Sequence, residues 1–172
     1  MGSWLMAWNV NGTPNTLSGA GDDLDVSDMI AVKFNQFMTN VLYDSSSIVY
    51  SRFTFNDNGN SVYASRYSYN GGTDTVANTQ PNSSTIYQTL DTAGEEAFVI
   101  MYTCSISGEE KLSIYFNIDN DSGVGAGFAP NRREGVFKFV PSPDSGITSI
   151  EFDNLGGGNY ATSTNLSALG TN

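Results

Sequence analysis

The stretch "FTFNDNGNSVYASRYSYNGG", residues 53–72, decides how the chain is read. It holds two Asn-Gly dipeptides, three tyrosines at odd positions and a single arginine. Apolar and polar residues alternating around turn signals is the period-2 pattern of strands. Ser47 to Phe55 predicts a strand, with Val49, Phe53 and Phe55 on one face and Tyr50, Arg52 and Thr54 on the other. Asn56 to Asn60 reads as the connecting turn of a hairpin, because Asn-Gly tolerates the positive φ angles that tight hairpins require. Val62 to Asn70 returns, with Tyr63, Tyr67 and Tyr69 on one face and Ala64, Arg66 and Ser68 on the other, and Asn70-Gly71-Gly72 ends it.

Outward from this stretch the same pattern continues. Strands are predicted over Thr85 to Leu90, Ala97 to Ser107, Lys111 to Asp119, Gly135 to Val140, Ile147 to Leu155 and Ser163 to Leu169. Weaker strand signals precede it, over Leu24 to Val26, Met29 to Phe37 and Val41 to Tyr43. A short helix competes only over Met29 to Asn40, where Ile30, Val32, Phe34 and Phe37 suit a strand better. Nine or ten strands, with turn signals every dozen residues, predict an all-β antiparallel sandwich of jelly-roll type. The longest irregular segments fall over Gly71 to Ser84 and Asp119 to Arg132. With 172 residues and no internal repeat or boundary, residues 1–172 are expected to form one domain.

Composition narrows the function. The chain carries 18 acidic and 7 basic residues, a net charge of −11. Nucleic-acid binding needs a basic surface to neutralise phosphates, so that partner is not expected. Arg132, Arg133 and Lys138 form the one basic cluster, and carboxylate pairing at a sandwich edge or subunit contact is its expected role. Histidine is absent, which removes Ser-His and Cys-His nucleophile pairs and the usual zinc ligand. Cys104, the single cysteine, sits in the apolar run "FVIMYTCSIS" and is expected to be a small buried hydrophobe. The opening "MGSWLMAWNV" has no basic region and no long apolar run, so neither a signal peptide nor a membrane segment is expected. Four Asn-x-Ser/Thr triplets, at Asn11, Asn82, Asn120 and Asn165, are what an Asn-, Ser- and Thr-rich chain produces by chance.

Reactive constellations are weak. Glu95-Glu96 and Glu109-Glu110 are adjacent pairs in turn-like contexts, read as solvated charges and not as the cleft-spanning carboxyls of a glycosidase. Glu110 has a structural ion pair as its other reading. "NIDNDSGVGAG", residues 117–127, offers Asp119 and Asp121 but misses the EF-hand spacing, since Ser122 and Gly123 fall in the fourth and fifth positions. A calcium site of another kind stays open beside the reading as a glycine-rich loop. "GVGAGFAP" lacks the Gly-Lys-Ser/Thr of a phosphate loop. No catalytic residue, cofactor or metal is therefore expected. The aromatic residues carry the remaining signal. Tyr63, Tyr67 and Tyr69 suit a core edge, a subunit interface or a sugar platform. Trp4 and Trp8 close to the N-terminus suggest that residues 1–20 act as a docking arm.

Four segments in this order, "RFTFNDNGNSVYASRYSYNGG", "EEKLSIYF", "GAGFAPNRREGVFKF" and "STNLSALG", resemble a family of small β-rich virion structural proteins encoded by tailed viruses of bacteria and archaea and by proviruses. The resemblance spans nearly the whole chain and rests on turns and strand pieces. Where that family's pattern would close the strand with Lys-Trp, this chain has Lys138-Phe139. The resemblance implies a capsid decoration or cement protein, or a tail or fibre component. Such a protein would not be an enzyme; it would assemble in the host cytoplasm, most simply as a homotrimer, and dock on other virion proteins. A carbohydrate-binding module with the tyrosines as its platform is the alternative, and a host-surface glycan would then be a partner.

Overall fold

The computed structural model describes residues 7–44, 47–80, 85–90, 94–120, 123 and 125–172, with backbone alone over 85–89. Among them thirteen strands form and no helix. In chain order these are β1 (Asn9–Val10), β2 (Asn15–Thr16), β3 (Asp23–Val26), β4 (Phe34–Leu42), β5 (Val49–Phe55), β6 (Tyr63–Tyr69), β7 (Thr75–Gln80), β8 (Thr85–Leu90), β9 (Glu96–Cys104), β10 (Lys111–Asp119), β11 (Asn131–Phe139), β12 (Ile150–Asn154) and β13 (Asn165–Thr171). They build two antiparallel sheets. One runs β1-β13-β4-β9-β10-β11-β6-β7, with β2 also on β13, and the other β3-β12-β5-β8.

This is a jelly roll with an enlarged sheet. Eight connections, β2 to β3, β3 to β4, β4 to β5, β5 to β6, β7 to β8, β8 to β9, β11 to β12 and β12 to β13, cross from one sheet to the other. The β6–β7 and β10–β11 pairs are two excursions that widen the larger sheet to nine strands and leave the smaller at four. The strand count exceeds the nine or ten expected because two-residue pairings at the N-terminus and β7 have no sequence pattern long enough to read. β7 lies inside the segment read as irregular over Gly71 to Ser84. The separate signals over Met29 to Phe37 and Val41 to Tyr43 meet in one strand, β4, with residues 29–33 and Tyr43 outside it. β11 begins at Asn131, so Arg132 and Arg133 are strand residues.

The largest departure from the sequence reading concerns residues 53–72. β5 and β6 do not form a hairpin: β5 pairs with β12 and β8, whereas β6 pairs with β11 and β7. The positive φ angles fall at Asn56 (55°) and Asp57 (49°), one step before the Asn-Gly dipeptide. The Asn56 side chain explains the placement. Its amide donates to the Gly146 carbonyl at 2.9 Å, and its oxygen accepts from the Thr148 amide at 2.8 Å. It thereby ties the end of β5 to the segment that enters β12, and the chain folds over to the opposite sheet. A hairpin would lay the aromatic faces of β5 and β6 side by side; folding over sets them face to face, where each buries the other. The true hairpin is at Asn70-Gly71, both left-handed at φ 49° and 75°, with the Gly72 amide donating to the Tyr69 carbonyl at 2.8 Å. That type I′ turn matches the twist of β6 and β7. β7 then bulges: Asn78 and Thr79 face the single residue Ala64, and Thr79 has φ 52°.

Aromatic rings fill the space between the sheets. Phe55 lies 5.7 Å from Phe37, 5.9 Å from Phe137 and 5.6 Å from Phe139, centroid to centroid. Tyr63 stacks on Phe139 at 4.8 Å, and its hydroxyl accepts the Phe55 amide at 3.0 Å. Phe152 packs on Phe53 at 4.7 Å and on Tyr160 at 5.3 Å, whose hydroxyl meets Ser51 Oγ at 3.1 Å. Burial pushes the Tyr63 hydroxyl up to about 12, against a partial lowering by the Phe55 amide, and raises Tyr160 as well.

These groups make stability sensitive to alkali. The unfolded chain loses the Tyr63 proton near its ordinary 10.0 while the native state holds it to about 12, so stability is complete below 10 and declines as pH rises through that window. Urea midpoints are expected to fall between pH 10 and pH 12, with Tyr63 contributing on the order of 2 kcal/mol. Tyr63→Phe should lower stability by about 1–3 kcal/mol at pH 7, because the buried Phe55 amide loses its acceptor, and should flatten the alkaline decline.

Candidate docking face

Strand β10 reads K-L-S-I-Y-F-N-I-D, and its two faces are inverted relative to the usual pattern. Lys111, Ser113, Tyr115, Asn117 and Asp119 point inward and are buried. Leu112, Ile114, Phe116 and Ile118 point outward, 57%, 49%, 48% and 49% exposed. A polar inner row is tolerable only where partners exist. Lys111, fully buried, donates to the Ile106 and Glu109 carbonyls at 2.8 and 2.6 Å and to Asp144 at 2.5 Å. Ser113 Oγ meets Thr103 Oγ1 at 2.8 Å, and the Asn117 amide donates to Asp119 at 3.3 Å. The Tyr115 ring lies against Gly135, where a Cβ would come within 2.7 Å of it, so the small residue on β11 makes room for the large one on β10.

The register carries the outward row across its neighbours. Leu112 stands beside Cys104 and Phe34, Ile114 beside Tyr102 and Val136, Phe116 beside Ile100 and Met38, and Ile118 beside Phe98. Trp8 caps this row, its ring edge-on to Tyr102 at 6.5 Å and 71°. Among the described residues, eleven of the seventeen exposed large apolar side chains lie on this one face: Trp8, Val10, Phe34, Val76, Phe98, Tyr102, Leu112, Ile114, Phe116, Ile118 and Val136. A groove of about 730 Å³ runs over it from Trp8 and Phe34 on the β4 side to Val76 and Asn78 on β7.

The residues singled out from sequence are scattered. Trp4 lies outside the described residues, as do Asp121 and Asn82; Trp8 is part of the apolar face. Asn9–Val10 and Asn15–Thr16, inside the expected docking arm, pair with β13. Tyr63 is buried in the core, Tyr67 packs partly against it, and only Tyr69 is well exposed, with the Arg133 guanidinium 4.9 Å from its ring centroid. Arg132 and Arg133 are neighbours on a strand and so face opposite ways. Arg132 points outward, 3.9 Å from Glu134, while Arg133 shares the inner face with Tyr69. Lys138, on the outer side, binds Glu110 at 2.9 and 3.0 Å, which gives Glu110 its structural partner. Glu95 is buried, not solvated. Cys104 is half-buried on the outer face and lines the groove, because it falls one residue beyond Thr103, which takes the inward place.

The signal for this face was present in β9 and β10. Phe98, Ile100, Tyr102 and Cys104 alternate with Ala97, Val99, Met101 and Thr103, apolar on both sides. Such a strand has two faces to cover, yet the smaller sheet covers only one.

No family model matches the chain, and no curated protein matches it. Among solved structures it is similar to the alginate lyase Aly36B at a TM-score of 0.32 and 11% identity, over 92% of this chain and 79% of that one. A likeness this slight carries no argument about what the chain does.

Two outcomes follow from the geometry of β10 and the groove. Cys104 is expected to react with a thiol reagent in the native protein without unfolding, since its side chain borders the open groove. Lys111→Met should lower stability by about 2–4 kcal/mol in urea titration, because two carbonyls that accept from the ammonium lose their donor.

Proposed function

We propose that the chain is a structural protein of a virus particle, a capsid decoration or cement protein or a tail or fibre component, that self-associates and docks on its neighbours and does not act as an enzyme. The observation that carries this reading is the apolar outer face of the nine-stranded sheet. Soluble monomers rarely leave a contiguous apolar patch above a few hundred Å² in water, and larger ones mark interaction sites. Here the large side chains stand in cross-strand rows on a rigid sheet, the arrangement suited to holding a neighbour in one orientation. The sequence resemblance to virion structural proteins supports placing that neighbour within a particle assembled in the host cytoplasm.

The tyrosine face lends less support to a carbohydrate module. A sugar platform needs ring faces open to solvent, and of Tyr63, Tyr67 and Tyr69 only the last offers one, already paired with Arg133.

Proteomics of purified particles from a producing host tests the reading. The chain is expected in a fixed stoichiometric ratio to the major structural protein, retained through density-gradient purification. Abundance in the cell lysate with absence from purified particles would remove the virion role. Specific retention on a glycan array, lost in Tyr69→Ala, would favour the carbohydrate module instead.

A further inference from the structure

We infer that a second copy of this chain covers the outer face of the nine-stranded sheet, the two faces meeting about a two-fold axis with β10 against β10. The inference rests on the self-association in the proposed function and names the surface and the symmetry.

Area is the first ground. Eleven large apolar side chains on this face are each 38–65% exposed. At roughly 80 Å² apiece, they leave on the order of 900 Å² of apolar surface in water. That exceeds the 300–600 Å² or so of the largest patch on an ordinary monomer, and it equals about what each partner contributes to a standard stable interface.

Charge is the second. The face carries Arg66, Arg132 and Lys138, matched by Asp74, Glu134 and Glu110 within the same chain at 3.1, 3.9 and 2.9 Å. Glu96 adds one more carboxylate at the margin. The face is therefore close to neutral while the chain as a whole carries −11. Two such chains repel each other through their net charge, and least where these near-neutral faces meet.

Symmetry follows from the same distribution. The other exposed apolar residues among those described, such as Ile30, Ile106, Phe128 and Leu155, are single residues on loops. A head-to-tail contact would press the apolar face onto an acidic, polar surface, leaving its rows unmatched and carboxylates desolvated. The surface of like character on a second copy is the same face. An interface that meets itself is isologous, which gives a closed dimer and not the three-fold contact that the sequence resemblance implied.

Light scattering after size exclusion tests this on the full chain. The expected mass is twice the 18.5 kDa of the chain. Ile114→Glu should weaken association by on the order of 100-fold or more, since it buries a charge without a partner. Phe116→Ser is the milder second variant. Both residues are half-exposed in the single chain, so circular dichroism should stay unchanged, and urea midpoints should match the parent chain's when both are diluted to monomer. Leu155→Glu, exposed elsewhere, should leave the dimer intact. Thiol labelling of Cys104 should slow as protein concentration rises through the dissociation constant. Raising salt from about 0.01 M to about 0.15 M should tighten the dimer by screening the like net charges. A mass of 18.5 kDa at all concentrations, a three-fold mass, or a dimer that survives Ile114→Glu would overturn the inference. The virion reading is separable. A dimeric chain absent from particles removes that role and leaves the interface; a monomeric chain found in particles removes the interface and leaves the role.

Discussion

Phe55 and the hydroxyl that holds its amide set the geometry on which the rest of the molecule depends. The ring touches Phe37 from β4 and Phe137 and Phe139 from β11, so one side chain of the smaller sheet fixes three positions of the larger. Its backbone amide, buried at the end of β5, is satisfied by Tyr63. A buried donor without an acceptor costs about as much as a small domain can lose from a single change. Residues 56–62 bring β6 over the core to make that bond, which links the two sheets directly.

The inequality of the sheets then explains the inverted polarity of β10. The smaller sheet covers only part of the larger, whose inner aspect changes character toward the ends of its strands. Under the smaller sheet it is aromatic and aliphatic. Toward the strand ends of β4, β10 and β11 it turns to Asn35, Asn117, Asp119 and Asn131, buried but hydrogen-bonding. The hydrophobic residues of β10 are displaced to the opposite side, where no part of the described chain meets them. An outward row of Leu, Ile, Phe and Ile is expensive for a solitary molecule in water and cheap for one that is never alone.

The sandwich was legible because period-2 alternation and turn residues are local, and because no stretch offers helical periodicity over a useful length. Strand partners were not, since pairing is decided by contacts distant in the chain. The 53–72 segment shows the limit well. Its Asn-Gly at 58–59 is a valid hairpin signal, outweighed by Asn56 binding backbone ninety residues away, while the second Asn-Gly, at 70–71, closes a hairpin of the expected type. The candidate face was missed for a related reason. Aromatic residues draw attention by type, so Tyr63, Tyr67 and Tyr69 stood out, but their exposure depends on which sheet lies above them. Leu112, Ile114, Phe116 and Ile118 look like ordinary core residues until the register with Phe137 and Phe139 assigns the other side of β10 to the interior.

The bulge in β7 has a consequence for how such a molecule can be stored at high concentration. A sheet that ends in a straight, uncharged strand, as T-V-A-N-T-Q would be, offers a row of free amides and carbonyls to any passing strand and templates open-ended growth. With Thr79 turned to φ 52° and two residues opposing one, the ladder of β7 is broken after three regular pairs. Fibre growth by strand addition at that rim is discouraged by backbone geometry alone, with no lysine or proline spent on it. The rim beside the apolar outer face thus offers polymerisation no regular edge at β7.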